Sequence, residues 1–166
     1  MKDVCASPPP PSGPKFFCDA MLGRLATWLR VLGMDVLYES DIDDEVLIRR
    51  ALDGERIILT RDRGIVKRRV LRGRVFFVHD DLLDDQLREV CSRFTPEQAA
   101  FFSRCLRCNL PLDGVSRESV QGSVPPYVLR TESHFSMCKG CGRIYWPGTH
   151  MGNMREKIRE ILHGGR

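Results

Sequence analysis

Apolar residues recur along the first hundred positions in two alternating rhythms. Short continuous runs, Lys15-Phe16-Phe17-Cys18, Asp35-Val36-Leu37-Tyr38, Arg56-Ile57-Ile58-Leu59-Thr60 and Arg74-Val75-Phe76-Phe77-Val78, read as strands buried on both faces. Between them, spacings of three and four take over. Met21, Leu22, Leu25, Trp28, Leu29 and Leu32 form the stripe of one helix, closed by Gly33, and a second helix runs from Asp44 to Leu52 and ends at Gly54. A short basic helix follows Asp62, and Leu83, Leu87, Val90 and Phe94 mark the buried stripe of another. This alternation predicts right-handed βαβ crossovers and an α/β fold, a mostly parallel sheet flanked by helices.

Beyond Pro96 the rhythm changes. A connecting segment, with a short helix through Phe101, leads to Cys105-Leu106-Arg107-Cys108, and a second pair follows at Cys138-Lys139-Gly140-Cys141. Tyr127–Arg130, after Pro125-Pro126, is expected to be a strand, as is Arg143–Trp146 after the second pair. Thr149 is placed to cap a last helix. Its Met151, Met154, Ile158, Ile161 and Leu162 share one face, expected to pack back on the sheet or the ribbon. Two C-x-x-C pairs supply four thiolates, the ligand set of a tetrahedral zinc ribbon at Cys105, Cys108, Cys138 and Cys141. Four thiolates leave no open coordination position, so the zinc is expected to hold structure rather than perform chemistry. The expected organisation is a disordered tail over 1–14, an α/β domain over 15–100, a zinc ribbon over 101–148 and a C-terminal helix over 149–166.

Composition narrows the class. With 42% hydrophobic and 29% charged residues in 166, the chain has the material for a soluble domain with a real core. No apolar run approaches the roughly 20 residues that span a bilayer, so no membrane partner is expected. Residues 6–14, rich in proline, lack the apolar core of a signal peptide and read as a tail. Seven cysteines, an odd number with four assigned to metal, favour a reducing, cytoplasmic compartment over a disulfide scaffold. Cys5 lies in the tail, and Cys18 and Cys91 sit in apolar contexts as plain core residues. Charge is uneven: residues 1–100 carry a net of −1 and residues 101–166 a net of +5, an excess compatible with nucleic acid on the ribbon half. Lys67, Arg68, Arg69, Arg72 and Arg74 make a denser patch, whose plain alternative is a solvated face.

The candidate chemistry follows the strands. Asp19 comes directly after the first, Asp62 after the third, and Asp80 with Asp81 after the fourth, while Asp44, flanked by Asp43 and Glu45, opens the helix after the second. In a parallel sheet all C-terminal strand ends share one edge, where ligands bind. Each aspartate alone is explained as a helix cap. Acidic groups from four places on one edge repel one another, and Mg²⁺ or Mn²⁺ with oxygen ligands is the natural neutralising partner. Such an edge suits metal-assisted phosphodiester hydrolysis, with Arg24, Arg30, Arg61 and Arg63 placed to hold phosphates.

These residues also carry a resemblance. Phe17-x-Asp19-x-Met21-Leu22-Gly23-Arg24-Leu25-Ala26-x-Trp28-Leu29-Arg30-x-Leu32-Gly33, Leu59-Thr60-Arg61-Asp62, Cys105-Leu106-Arg107-Cys108-Asn109 and Cys138-x-x-Cys141-Gly142-Arg143-Ile144-Tyr145-Trp146-Pro147-Gly148-Thr149-His150 are the motifs concerned. Over residues 15–160 the chain resembles the PIN-like RNase family named for the C-terminal domain of the mutator-seven protein (Mut7-C). The resemblance implies a PIN-like fold with a C-terminal zinc ribbon and a metal-dependent ribonuclease acting on RNA. By position it implies Asp19, Asp44, Asp62 and Asp80 as the acids, with Asp43 and Asp81 as alternatives inside the two doublets. Thr60 matches a supporting hydroxyl that orients the Asp62 loop.

His79 and His150 are weaker candidates, with structural use favoured for both. Trp28 belongs to an apolar stripe, whereas Tyr145 and Trp146 suit either an exposed stacking platform or the ribbon core. The rival function is a zinc-ribbon module that binds RNA or protein on a catalytically weak PIN-like scaffold. A receiver or phosphatase reading fails on residues: no lysine lies between Val78 and Asp85, and Asp19-Ala20-Met21 is not Asp-x-Asp. No exposed stripe calls for a dimer, so a monomer or weak dimer is expected.

Overall fold

The structure, a computed structural model, describes residues 13–163. Most of the expected 1–14 tail, with Cys5, therefore lies outside the described residues. Strands β1 (Phe16–Cys18), β2 (Val36–Tyr38), β3 (Ile57–Thr60) and β4 (Val75–Phe77) form one parallel sheet in the order β2-β1-β3-β4. They alternate with helices α1 (Gly23–Val31), α2 (Asp44–Asp53), α3 (Arg63–Val66) and α4 (Leu83–Arg93). The apolar runs are continuous because helices cover both faces of the sheet. Phe16, Cys18 and Leu59 point to the face packed by α1 and α4, while Phe17 and Ile58 point to the other, where Leu47, Ile48, Ile65 and Leu71 complete a separate core. Each such side chain, fully buried, contributes about 1.5–3 kcal/mol.

Gly33 stops α1. Its φ of +78° and the Ala100 carbonyl oxygen, which a Cβ there would meet at 2.1 Å, leave room only for glycine. The segment after α4 thereby closes tightly over the end of α1, and the Phe102 amide donates to the Val31 carbonyl at 2.8 Å.

The C-terminal third builds an antiparallel sheet of β5 (Leu112–Val115), β6 (Phe135–Cys138) and β7 (Ile144–Tyr145). Tyr127–Arg130 is not the expected strand but lies within helix α5 (Pro126–Thr131). Pro126 stands in the first turn, where its missing N–H removes no helical bond and its fixed φ starts the turn; Val128 then plugs the small ribbon core. β5 and β6 have little periodic signal of their own. Asp113 and Gly114 are poor strand formers, and Leu112 pairs with Cys138 within the cluster formed by the cysteines. Helix α6 (Thr149–His163) packs on α4, and its Ile158 and Ile161 join the α1–α4 core.

Candidate active site

The strand order contains a switch point. The chain leaves β1 through α1 toward β2, while β3 occupies the other side of β1, so the loops after β1 and β3 part over opposite faces at the C-terminal edge, the place where α/β sheets bind ligands. Asp19 and Asp62 occupy those two loops. The register pairs Cys18 with Leu59, which sets Asp19 beside Thr60, and the Asp19 amide donates to the Leu59 carbonyl at 3.0 Å. Thr60 is fully buried. Its hydroxyl donates to Asp19 Oδ2 at 2.7 Å and accepts from the Asp62 amide at 2.9 Å, using its single proton and a lone pair at once. The Asp62 carboxylate in turn accepts from the Gly64 amide at the start of α3.

The two acids at the start of α2 divide their tasks. Asp43 is the N-cap, and its Oδ1 accepts from the Glu45 amide at 2.9 Å and the Val46 amide at 3.4 Å. Asp44 makes no such bond. Its carboxyl is raised above the ordinary range, by partial desolvation first and then by the negative charges of Asp62, Asp19 and Asp43, with Arg68 opposing them. Acids from two other loops thus act on Asp44 at this end of the sheet.

The fourth loop is less closely joined. Asp80 lies three residues beyond β4 on the edge strand, exposed, and its main-chain carbonyl accepts from Gln86 Nε2 at 3.0 Å. Asp81 pairs with Arg61. His79 is exposed, and its Nδ1 lies 2.5 Å from Glu89 Oε1. Arg24 is exposed on the first turn of α1, and the Arg63 guanidinium lies 6.0 Å from the centre of the Phe77 ring.

Arg30 corrects the expectation of a phosphate contact. It is buried, its Nε donates to the Val36 carbonyl at 2.9 Å, and one terminal nitrogen donates to the carbonyls of Leu106 at 2.8 Å and Arg107 at 3.1 Å. All these acceptors are protein carbonyls, so Arg30 clasps α1 to β2 and to the first cysteine pair. The apolar stripe disguised it, because Arg30 sits between Leu29 and Val31 on a helix with no other signal of a long-range partner.

The four cysteines of the two C-x-x-C pairs form a cluster that could hold a metal. The Sγ atoms of Cys105, Cys108, Cys138 and Cys141 lie within 4.8 Å of one another, the one close group of three or more metal-ligating side chains among the described residues. Cys105 and Cys141 are separated by 3.7 Å, far beyond a disulfide and close to the edge of about 3.8 Å that a tetrahedron with Zn–S bonds near 2.3 Å requires. Burial opposes ionisation of Cys105, but hydrogen bonds from the Tyr145 hydroxyl at 3.2 Å and from the Cys108 and Arg107 amides outweigh it and hold the thiol at about 6. Cys108, held by its contact with Cys141 first, is pushed up to about 12. Tyr145 therefore serves the ribbon core: its hydroxyl also accepts from the Leu106 amide at 3.1 Å. Trp146 packs partly buried against the other ribbon cluster, and Trp28 against the main core, with Lys157 Nζ 5.4 Å from its ring centre.

A family model described as the Mut7-C RNAse domain matches residues 14–158, which include both the acidic edge and all four cysteines. The chain belongs to the Mut7-C RNase domain family. No curated protein and no solved structure matches it. Membership supports a nuclease-like function in general, with RNA as the substrate class. None of the described helices is long and apolar enough to cross a membrane.

In this Mut7-C domain the cysteine knuckle and the sheet are stitched together by residues that the motifs do not single out for that task. Asn109, at φ +63° directly after Cys108, accepts from the Val36 amide through Oδ1 at 2.9 Å and donates through Nδ2 to Asp35 at 2.8 Å. It thereby pairs the Val36 amide on the free edge of β2. Arg104 donates to the Gly33 carbonyl at 3.0 Å and to the Asn109 carbonyl at 2.8 Å. The Asp35 carboxyl sits below its ordinary range: burial pushes it up, but hydrogen bonds from Arg56 and Asn109 prevail. The available sequence signal was an asparagine after the C-x-x-C pair, at a position where αL geometry suits it.

Proposed function

We propose that this Mut7-C domain is an Mg²⁺- or Mn²⁺-dependent ribonuclease that hydrolyses RNA phosphodiester bonds at the sheet edge that carries Asp19, Asp44 and Asp62. The observation that carries the reading is the raised Asp44 carboxyl, on which the charges of Asp62 and Asp19 act from the neighbouring strand-end loops. Nothing about folding requires it, since Asp43 already caps α2 and the raised Asp44 carboxyl marks a repulsion.

Asp19, Asp44 and Asp62 would hold the metal, with Asp80 as the fourth acid from the β4 side. When bound, the metal would supply an activated water and neutralise charge on the phosphate and the leaving 3′ oxygen. Thr60 orients Asp19 and the Asp62 loop through its two hydrogen bonds, so both acids keep one geometry while substrate enters. Arg24, Arg61 and Arg63 are the phosphate-holding side chains of this reading. Hydrolysis leaves a 5′-phosphate and a 3′-hydroxyl. The zinc is structural, because its four thiolates leave no open position.

The test pairs the parent with Asp62→Asn on labelled single-stranded RNA in Mn²⁺. Cleavage by the parent and not by the variant supports the ribonuclease. Equal binding without cleavage in both refutes it and leaves an RNA-binding module. Metal-dependent cleavage that survives Asp62→Asn places the chemistry elsewhere.

A further inference from the structure

From Arg63 to Arg74 the chain carries six basic residues and no acidic one. Ile65 and Leu71 anchor this turn by burying themselves in the core beneath α2. The Arg68 amide donates to the Ile65 carbonyl at 3.1 Å, Leu71 to Arg68 at 3.0 Å and Arg74 to Leu71 at 2.8 Å, so the backbone is tied at successive steps. The cations between the anchors are consequently held outward on a fixed frame.

The turn adjoins the acidic edge. It begins at the helix that Asp62 caps, and Arg68 pairs with Glu45, the neighbour of Asp44, whose carboxyl it pulls down against the surrounding acids. Lys67, Arg69 and Arg72 are exposed and have no ion-pair partner among the described residues. Three like charges carried within six residues repel over a screening length of about 8 Å at physiological salt. A polyanion relieves that repulsion. The segment offers no aromatic ring, amide or hydroxyl with which to stack on or read a base.

We propose that the Lys67–Arg72 turn is a sequence-independent phosphate track, in which Lys67, Arg69 and Arg72 hold the backbone of the RNA strand on one side of the scissile bond. The assignment rests on the ribonuclease reading, which supplies the RNA at the neighbouring acids. The track places the strand and does not touch the reacting atoms.

The test is a Lys67→Ala/Arg69→Ala/Arg72→Ala variant of the full, zinc-loaded chain, with binding of labelled U-rich and A-rich single-stranded oligomers followed by anisotropy without added divalent metal. At about 0.7 per lost phosphate contact, the slope of log K against log salt should flatten by about 2, so that between about 50 and 200 mM salt the parent loses roughly 20-fold more affinity than the variant. Both oligomers should respond alike. In Mn²⁺ the variant should show a raised KM with kcat preserved, and Lys67→Arg/Arg69→Lys/Arg72→Lys should restore the parent slope. An unchanged slope and KM in the alanine variant, with a parent that binds and cleaves, overturns the track and leaves the ribonuclease standing. Loss confined to one base composition also overturns it. A parent that binds no RNA overturns both. Unchanged melting of the variant, expected because all three side chains are exposed, shows that the effect is not one of folding.

Discussion

The Thr60 hydroxyl donates to the Asp19 carboxylate at 2.7 Å from a fully buried position, while the same oxygen accepts from the amide of Asp62. One side chain therefore sets two acids that are 43 residues apart in the chain. Thr60→Val keeps the shape but leaves the Asp62 amide and a mostly buried carboxylate without their partner. It should cost about 1–3 kcal/mol in urea unfolding and remove RNA cleavage, whereas Thr60→Ser should retain most of both.

Asp44 has the opposite relation to stability. Its folded carboxyl is raised above the unfolded one, so its ionisation disfavours the fold, and that penalty is relieved as pH falls through the folded value. Asp44→Asn should therefore melt higher than the parent at neutral pH without divalent metal, and the gain should vanish in acid. Adding Mg²⁺ or Mn²⁺ should raise the melting temperature of the parent and not of the variant. Scanning calorimetry across pH and metal concentration checks both.

Arg30 should behave as a brace. Arg30→Met leaves the carbonyls of Val36, Leu106 and Arg107 without their donor, and should cost at least about 3 kcal/mol by denaturant titration. At temperatures where the variant stays folded, the salt dependence of RNA binding should match that of the parent, since no phosphate contact is lost.

Zinc removal should reach beyond the ribbon. Cys138→Ser or chelation should release one zinc per chain and unfold β5–β7. Because Asn109 follows the first knuckle and accepts from the Val36 amide, that amide should then exchange with deuterium much faster, while the Leu59 and Ile58 amides at the sheet centre change little.

Legibility in the sequence tracks the range of the interaction. The runs around Phe16, Ile57 and Val75 announce strands because burial on both faces requires consecutive apolar residues, and the two C-x-x-C pairs announce a metal because thiolates at that spacing reach one ion. Tyr127–Arg130 misled because β-branched and aromatic character suggests a strand, while the preceding Pro126 starts a helical turn that tertiary packing of Val128 completes. β5 was silent for the converse reason: its pairing with β6 supplies what Asp113 and Gly114 lack.

By itself, then, the chain determined the α/β alternation, the tetrathiolate set and the presence of an aspartate after each of three strands, all consequences of local periodicity and spacing. Only the tertiary structure decided that Asp43 caps α2 while Asp44 lies under the influence of Asp19 and Asp62. It alone turned Arg30 from a surface cation into a buried clasp, and made Asn109 the partner of a strand edge 73 positions away. The reason is physical. A hydrogen bond or a repelling field depends on distance in space, and parallel strands with a switch in their order bring together groups that no spacing along the chain relates.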